Sequence, residues 1–421
     1  MREKLERFGP VLAGLVGIVI LTVCQGVSYA ETSSELRRTW GSFLVTGSVG
    51  TTYLIDDVSG DRNLFRSQFN LKEGAPIGEI SFQAFRLPEK SGFFDVLSLD
   101  VRGFGAEPFG RAGFKLEKRS RFVITGSYTE RKRFADVASF ANPLFDPETE
   151  DVLFRSFHTW NTKEKTFELG AEVKLSSWLS LFGAWERTDI EGESLITLRL
   201  LNNEFPLKEP IDQSNTTARM GAEIRSGSSF FYRVSGVYQK FELAQTASSQ
   251  ENLGIRGRSA GSSEIRLSSQ SRSTSVDIDA WAVTQSFRLV PFAKVTLEGH
   301  YTRNWTEGTS SGEENIKGHF VWPLYDFVSQ ASLTNTGQLE KDAYDGRFSV
   351  SYTPLSELVI RAGYEFNKYT IDTSDEAQFS FTRIYYNRTM TGRATFQPLI
   401  QLKRDRMFAE SEFSPARTLA I

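Results

Sequence analysis

Strict alternation of apolar and polar side chains is the feature that most constrains this chain. Segment 167–175 reads FELGAEVKL, with an apolar residue at every odd position and glycine or a charged residue at every even one. Similar alternation recurs in segments 122–129, 218–225, 293–302 and 357–366. A period of two places successive side chains on opposite faces of a β-strand. The sequence therefore predicts an all-β chain whose strands have one apolar and one polar face.

The predicted strands are also long. Many alternate over about nine to eleven residues, the length that a tilted strand needs to cross a membrane, whereas strands of soluble proteins are commonly about five or six residues. Aromatic residues fall near the strand ends, at Tyr128, Trp185, Tyr238, Tyr301 and Tyr364. Outer-membrane barrels carry such aromatic girdles at both interfaces. The pattern favours a transmembrane barrel over a soluble all-β protein.

The composition agrees with strands rather than helices as the membrane-crossing elements. The chain of 421 residues contains 34 Phe, 13 Tyr, 7 Trp and 33 Gly. Beyond its N-terminus, no segment approaches the roughly twenty consecutive apolar residues of a spanning helix. Its 49 basic and 52 acidic residues leave a net charge of −3, without the basic excess of a nucleic-acid-binding domain. Outer-membrane lipid is therefore a predicted partner and nucleic acid is not.

Residues 1–30 have the pattern of a cleaved signal peptide. A basic start (MREKLER) precedes the apolar run 10–24, and Ser28-Tyr29-Ala30 offers small residues at both recognition positions of signal peptidase. The run is short for a membrane anchor, and Val23 is bulky for a lipoprotein signal at Cys24. Because Cys24 is the only cysteine, the mature chain is expected to lack disulfides, thiolate metal sites and covalent haem.

Residues 31–421 are predicted to form a single barrel domain in the outer membrane of a Gram-negative (diderm) bacterium. Short turns are expected at 176–177, 226–228, 290–291 and 354–356, each joining the two strands of a hairpin. Long polar segments follow these hairpins and are expected to be extracellular loops, at 189–215, 242–275 and 304–343, with a further loop at 132–163. Short turns alternating with long loops are typical of an up-and-down outer-membrane barrel. About 16 strands are predicted, within a range of 14 to 18.

The C-terminal segment is predicted differently. The last clear alternation runs from Met390 to Phe396, and a charged tail through Lys403, Arg404 and Arg406 is expected to follow it.

The charged residues on the polar face form the candidate functional set, because alternation predicts that they line the lumen. They can pair across strands and merely solvate a pore, or they can set ion selectivity or hold a guest. The mixture of both signs favours pairing. The predicted lumen-lining residues are Asp100, Arg102, Arg111, Lys115, Glu117, Glu172, Lys174, Arg219, Glu223, Arg225, Arg233, Lys294, Glu298, His300, Arg347, Arg361 and Glu365.

Segment 132–163 is too aromatic for a freely solvated loop, since exposed apolar clusters usually mark contacts. Three interpretations are open: a constriction folded into the lumen, a docking site for a partner, or an additional irregular strand pair. The aromatic residues that would make the contact are Phe134, Phe140, Phe145, Phe154, Phe157 and Trp160.

The inventory for catalysis is small. The chain has three histidines, His158, His300 and His319, and no two are spaced to share a metal. A hydrolase would need a nucleophile and a base oriented by a third group. His300 is the one candidate base, and its position on the polar face is better explained as lumen lining. No enzyme activity, metal or cofactor is predicted.

Several segments resemble the MtrB/PioB family of barrels. They are Leu97–Gly103 (LSLDVRG), Arg111–Lys118 (RAGFKLEK), Phe122–Tyr128 (FVITGSY), Phe140–Pro143 (FANP) and Trp160-Asn161-Thr162 before the strand at 167–175. The resemblance implies an outer-membrane barrel that encloses a multihaem cytochrome as its partner and carries electrons across the membrane.

Two functions are therefore predicted. The first is a porin-like channel through which small solutes or ions pass, based on the mixed-charge lumen. The alternative, based on the resemblance, is a scaffold for a multihaem cytochrome.

Overall fold

In the computed structural model almost every described residue belongs to one antiparallel sheet. The structure describes residues 36–50, 62–70, 77–105, 108–136, 159–200, 203–253, 255–256, 264–322, 325–355, 357–383 and 388–413. The predicted signal peptide, residues 1–30, lies outside the described residues.

Seventeen strands and one helix are present in the described part of the chain. The helix α1 is Arg62–Phe69. The strands are β1 (Leu36–Trp40), β2 (Phe43–Gly50), β3 (Ile77–Arg86), β4 (Val96–Phe104), β5 (Phe109–Lys118), β6 (Phe122–Asp136), β7 (Thr159–Lys174), β8 (Leu179–Leu200), β9 (Asn203–Ser226), β10 (Phe230–Leu253), β11 (Ile255–Arg256), β12 (Glu264–Phe292), β13 (Val295–Trp322), β14 (Tyr325–Leu355), β15 (Leu358–Arg383), β16 (Arg388–Phe396) and β17 (Leu399–Phe413).

Consecutive strands pair in an up-and-down order, which confirms the predicted fold class and a strand count between 14 and 18. Strand β10 pairs with β12, while the two-residue β11 pairs with β9. The sheet is open among the described residues, because β1 pairs only with β2, and β16 and β17 pair only with β15. No described helix is long and apolar enough to cross a membrane.

Strands β16 and β17 form one continuous edge of the sheet. Asp375 pairs with Phe396 and Asp372 with Leu399, so the register along β15 is unchanged across Gln397 and Pro398. The expected charged tail is therefore wrong, because most of it is strand β17. The alternation was hidden because β17 places apolar and charged residues on both of its faces.

The two faces of the sheet differ in chemistry. Paired residues of neighbouring strands lie on the same face, and one face carries Leu99, Leu169, Trp281, Val350 and Ile360. We call this the outer face and its opposite the inner face. Among the described residues only four hydrophobic side chains are buried, whereas Leu169, Trp281 and Ile360 are 41%, 46% and 42% exposed. These apolar side chains thus lie on an exposed outer face and do not form a core.

The strands differ greatly in length around the sheet. Strands β2 to β5 have 8 to 10 residues, and we call them the short wall. Strands β8 to β10 and β12 to β15 have 22 to 31 residues, and together with β16 and β17 at their edge they form the tall wall. Short turns join the strands at one end, the turn end, and the tall wall extends far beyond the short wall at the other end, the far end.

Three predicted loops are largely strand. Segments 189–215, 242–275 and 304–343 largely continue the strand pairs β8–β9, β10–β12 and β13–β14. In these segments apolar and polar residues no longer alternate regularly. A strand outside the bilayer needs no apolar face, so the alternation that marks a membrane strand can be lost although the hydrogen-bond ladder continues.

The turn predicted at 290–291 lies a few residues later in the structure. Strand β12 continues through Val290 and Pro291 by a local irregularity, and the turn lies at Ala293-Lys294. The expected turns at 176–177 and 226–228 agree with the structure, in which β7 and β9 end at Lys174 and Ser226.

Strand β6 is longer than its neighbour β5. The last pair between them is Arg131 with Phe109, and the Lys132 N–H still donates to the Pro108 carbonyl at 2.7 Å. Beyond this point one edge of β6 has no strand beside it among the described residues. An exposed strand edge presents unpaired N–H and C=O groups that natural proteins usually cover.

Helix α1 covers this edge. The Asn70 side-chain amide donates to the Lys132 carbonyl at 2.8 Å, and the Asp136 N–H donates to the Ser67 hydroxyl at 2.7 Å. These two bonds replace the ladder that a longer β5 would have supplied. The connection between β2 and β3 is thus attached to the sheet above the β4–β5 hairpin.

Candidate functional site

The predicted lumen-lining residues share the inner face of the sheet. The register places His300 opposite Arg347, Arg347 opposite Glu365, and Arg361 opposite Glu410. The same holds across the remaining strands, from Arg102 opposite Arg111 on the short wall to Arg233 opposite Glu223 on the tall wall. Of the seventeen residues, all but Lys294 lie on this face.

Lys294 lies in the turn between β12 and β13 and does not point from a strand. Its ammonium donates to the Pro354 carbonyl at 2.8 Å, which ties two neighbouring turns together. The prediction placed it on the inner face because the strand was expected to begin before Val295. The extension of β12 to Phe292 moves the turn onto Lys294.

Many inner-face charges pair with one another. Lys115 lies 2.7 Å from Glu117, and Arg225 lies 2.9 Å from Glu223. On the tall wall Arg361 lies 3.0 Å from Glu410. Most of these side chains are partly exposed, so each pair contributes little to stability. The pairs leave the inner face wet and close to neutral.

A cavity of about 280 Å³ opens on the inner face of β13 to β15. The Arg347 guanidinium lies 3.3 Å from Glu365 and 4.8 Å from the centre of the Phe408 ring, so it is held flat against the wall. His300 forms a hydrogen bond of 3.2 Å with the Thr302 hydroxyl. The lining residues are Glu298, Gly299, His300, Arg347, Ser349 and Arg361.

The groups that line the cavity are those of a polar binding surface. In the part of the chain that the structure describes, the hydrogen bond of His300 is to a threonine, and no serine or carboxylate orients its ring. Nor do the described histidines and carboxylates gather in any group of three that could hold a metal ion. Ion and solute contact is the chemistry that these residues can perform.

Aromatic side chains mark the far limit of the apolar outer face. Tyr128, Trp185, Tyr238, Tyr301 and Tyr364 all lie on this face, as predicted for a girdle. The Tyr238 and Trp281 rings lie 4.3 Å apart, and the Trp281 and Trp305 rings 6.4 Å apart. The row of rings runs across three neighbouring strands.

Directly beyond the girdle the outer face becomes charged. Lys240 lies 2.8 Å from Glu242 and 3.6 Å from Asp277, one step past Tyr238 and Trp281. An apolar band, then an aromatic girdle, then charge is the surface of a strand protein that crosses a lipid bilayer. Because strands span only the outer membrane of diderm bacteria among bacterial membranes, the chain is an outer-membrane protein.

Near the level of the aromatic girdle, the inner face of the tall wall changes from charged to apolar. Beyond its charged rows, β14 to β17 carry large apolar side chains that are 41% to 65% exposed. We call this set the apolar stripe, and its members are Leu333, Phe379, Met390, Phe396, Ile400 and Leu402. Sequence analysis missed it because it lies on strands where apolar residues had been expected outside.

Two carboxylates are buried, one on each wall. Asp95, 7% exposed, precedes β4 and lies 2.5 Å from Arg86 and 3.3 Å from Lys118, and it accepts the Arg119 N–H at 2.8 Å. Burial alone raises the pKa of the Asp95 carboxyl, but the Arg119 N–H and the Lys118 and Arg86 cations outweigh it. The pKa therefore lies below its usual value.

Glu209 is the buried carboxylate of the tall wall, 2% exposed and well beyond the girdle. Arg272 lies 3.8 Å from its Oε1, which accepts no hydrogen bond from the described residues. Burial raises the pKa of the Glu209 carboxyl above its usual value, with Arg272 opposing the rise and Glu314 adding to it.

The aromatic segment 132–163 is described only at its two ends. Phe134 lies under the Arg66 guanidinium of α1, 4.0 Å from the ring centre, and Trp160 sits on β7 opposite Ala135. Residues 132–136 and 159–163 are therefore strand, and Phe134 contacts α1. Phe140, Phe145, Phe154 and Phe157 lie outside the described residues.

No protein-family model and no curated protein matches the chain. Among the solved structures that match the chain are a receptor and a channel. The ferric-catecholate import receptor Fiu from E. coli K12 shares 7% identity over 85% of this chain with a TM-score of 0.32, and the chain spans 63% of the receptor's length. The CymD monoaromatic hydrocarbon channel shares 10% identity with this chain. The match covers 68% of this chain and 85% of the CymD chain, with a TM-score of 0.23. These comparisons give the MtrB/PioB resemblance no support.

Proposed function

We propose that the chain is an outer-membrane channel through which small polar solutes and ions pass. The observation that supports the proposal is the inner face, where charged residues of both signs run along strands whose outer face is apolar. A wet, charge-lined face enclosed by lipid-facing strands is the arrangement of a porin lumen. Closure of the sheet into a barrel is part of the proposal.

The mixture of signs suggests weak selectivity between cations and anions. Glu365 lies near Arg347 and Arg406, and Glu410 lies near Arg361, so charges of both signs line this part of the inner face. Solutes would then be selected mainly by size and by contact with the wall.

Planar-bilayer recording of the purified protein tests the proposal. Discrete conductance steps in potassium chloride are expected, with a reversal potential near zero in a salt gradient. Arg361→Glu, on the inner face, should shift the reversal potential toward cation selectivity. Lys368→Glu is the matched control, because Lys368 lies on the outer face of the same strand, and it should leave selectivity unchanged.

A barrel that conducts no ions would contradict the proposal. If that ion-tight barrel also co-purified with a haem protein, the scaffold function implied by the MtrB/PioB resemblance would replace it.

A further inference from the structure

The apolar stripe ends on a pair of arginines. Along the inner face of β17, Ile400 and Leu402 are followed by Arg404 and Arg406 at the same two-residue spacing. The four residue steps from Ile400 to Arg404 cover about 13 Å of strand. Apolar surface and positive charge thus lie on one continuous wall.

Arg404 is the arginine free to bind a ligand. Its cross-strand neighbour is Asn367, and no described carboxylate lies within ion-pair distance of it. Arg406, by contrast, lies 3.9 Å from Glu365, and Arg347 is held by Glu365 and Phe408. A bound anion would therefore meet an uncompensated charge at Arg404.

The apolar side chains beside it are available for contact. Ile400 is 48% exposed and Leu402 is 44% exposed, and Phe396 and Phe379 farther along are 65% and 48% exposed. Apolar patches that are exposed to water usually mark binding sites. Each buried CH₂ of a ligand would contribute about 0.8 kcal/mol.

We propose that this wall binds amphipathic organic acids, with the carboxylate on Arg404 and the apolar body along the apolar stripe. The proposal rests on the proposed channel function and names the solute class that the channel would favour. Neither part of the surface alone would discriminate, since a small anion gains no apolar contact and a neutral hydrocarbon gains no ion pair.

Equilibrium dialysis with radiolabelled octanoate tests the proposal without requiring conductance. The full chain is embedded in lipid nanodiscs, and empty nanodiscs measure the octanoate that partitions into lipid. Saturable binding is expected for octanoate, with at least tenfold weaker binding of acetate and of the neutral 1-octanol.

Substitutions locate the site. Arg404→Gln should weaken octanoate binding about tenfold, the loss of one ion pair of roughly 1.4 kcal/mol. Leu402→Asn should weaken it several-fold while leaving acetate binding unchanged. Lys403→Gln is the matched control, because Lys403 lies on the outer face of the same strand, and its octanoate affinity should equal that of the wild type. Circular dichroism confirms that each variant keeps its strand content.

Equal octanoate affinity in the wild type and Arg404→Gln would overturn the proposal, as would acetate binding as tightly as octanoate. Failure of the channel is distinguishable from these results. Octanoate binding without conductance would contradict the proposed function and leave the binding site supported. Conductance without octanoate binding would support the channel and contradict the binding site.

Discussion

The short wall and the tall wall are built by different rules. Strand β5 has 10 residues and β14 has 31, yet both cross the same apolar band. In the short wall the alternation lasts for almost the whole strand. In the tall wall it lasts only as far as the girdle, after which the outer face is charged and the inner face carries the apolar stripe. Lipid imposes the alternation, while the backbone ladder alone sustains the strands beyond it.

The largest effect that can break this comparison is a charge placed in the apolar band. Val350→Arg, on the outer face of β14, should cost about 2–4 kcal/mol of unfolding free energy, because an arginine would be desolvated near the bilayer centre. Gln338→Arg, on the same face of the same strand but beyond the girdle, should cost less than about 0.5 kcal/mol. Urea unfolding in lipid vesicles, followed by tryptophan fluorescence, measures both.

Equal costs at positions 338 and 350 would show that the tall wall also meets lipid at its far end, and the distinction between the walls would be lost.

A smaller effect concerns the edge of β6 beyond its last pair with β5, beside the short wall. Ser67→Ala and Asn70→Ala remove the side chains that bond to β6, and each should cost about 1 kcal/mol. The loss should be local, so amide hydrogen exchange of residues 132–136 should accelerate while exchange in β3 and β4 stays constant. Gln68→Ala, on the exposed side of α1, serves as the control. Unchanged exchange in both variants would show that α1 does not protect this edge.

The smallest effects are in pH dependence, and they have opposite signs on the two walls. Because the folded-state pKa of Asp95 is lowered, its contribution to stability is present above its unfolded pKa and is lost as pH falls through the folded value. Because the folded-state pKa of Glu209 is raised, its contribution is present below its unfolded pKa and is lost as pH rises through the folded value.

Hydrogen exchange corrected for intrinsic rates should therefore show the region of Asp95 weakening in acid and the region of Glu209 weakening toward neutral pH. Asp95→Asn should remove the first trend and Glu209→Gln the second, each without altering the other wall. If both walls instead weakened together in acid, the buried Glu209 would be ionised when folded, contrary to the comparison.

Sequence patterns were sufficient for the membrane-crossing part of the fold. There the bilayer forces an apolar outer face, so alternation at Phe167–Leu175 gives both the strand and the direction of each side chain. Alternation also groups sixteen of the seventeen predicted lumen-lining residues on one face of the sheet, and their place in a lumen stays a prediction. The exception, Lys294, depended on the end of β12, which a proline inside the strand had concealed.

The rest could not be read from alternation. Beyond the girdle no solvent difference separates the faces, and the hairpins there resemble polar loops. The apolar stripe places apolar side chains on the inner face, whereas a membrane strand places them on the outer face. Ile400 and Leu402 beside Lys403 and Arg404 therefore suggested a charged tail. Contacts such as Arg66 with Phe134 join segments distant in sequence and leave no periodic signal.

Pro398 has a mechanical consequence for the edge of the tall wall. A proline has no N–H to donate, so at this residue β15 donates one hydrogen bond, from the Thr373 N–H to the Pro398 carbonyl at 3.4 Å, and accepts none from Pro398. The ladder is continuous on either side. The edge of the sheet is therefore held more weakly at Pro398 than on either side of it. Bending of the nine residues of β16 should be absorbed at Pro398 before it reaches the fifteen residues of β17.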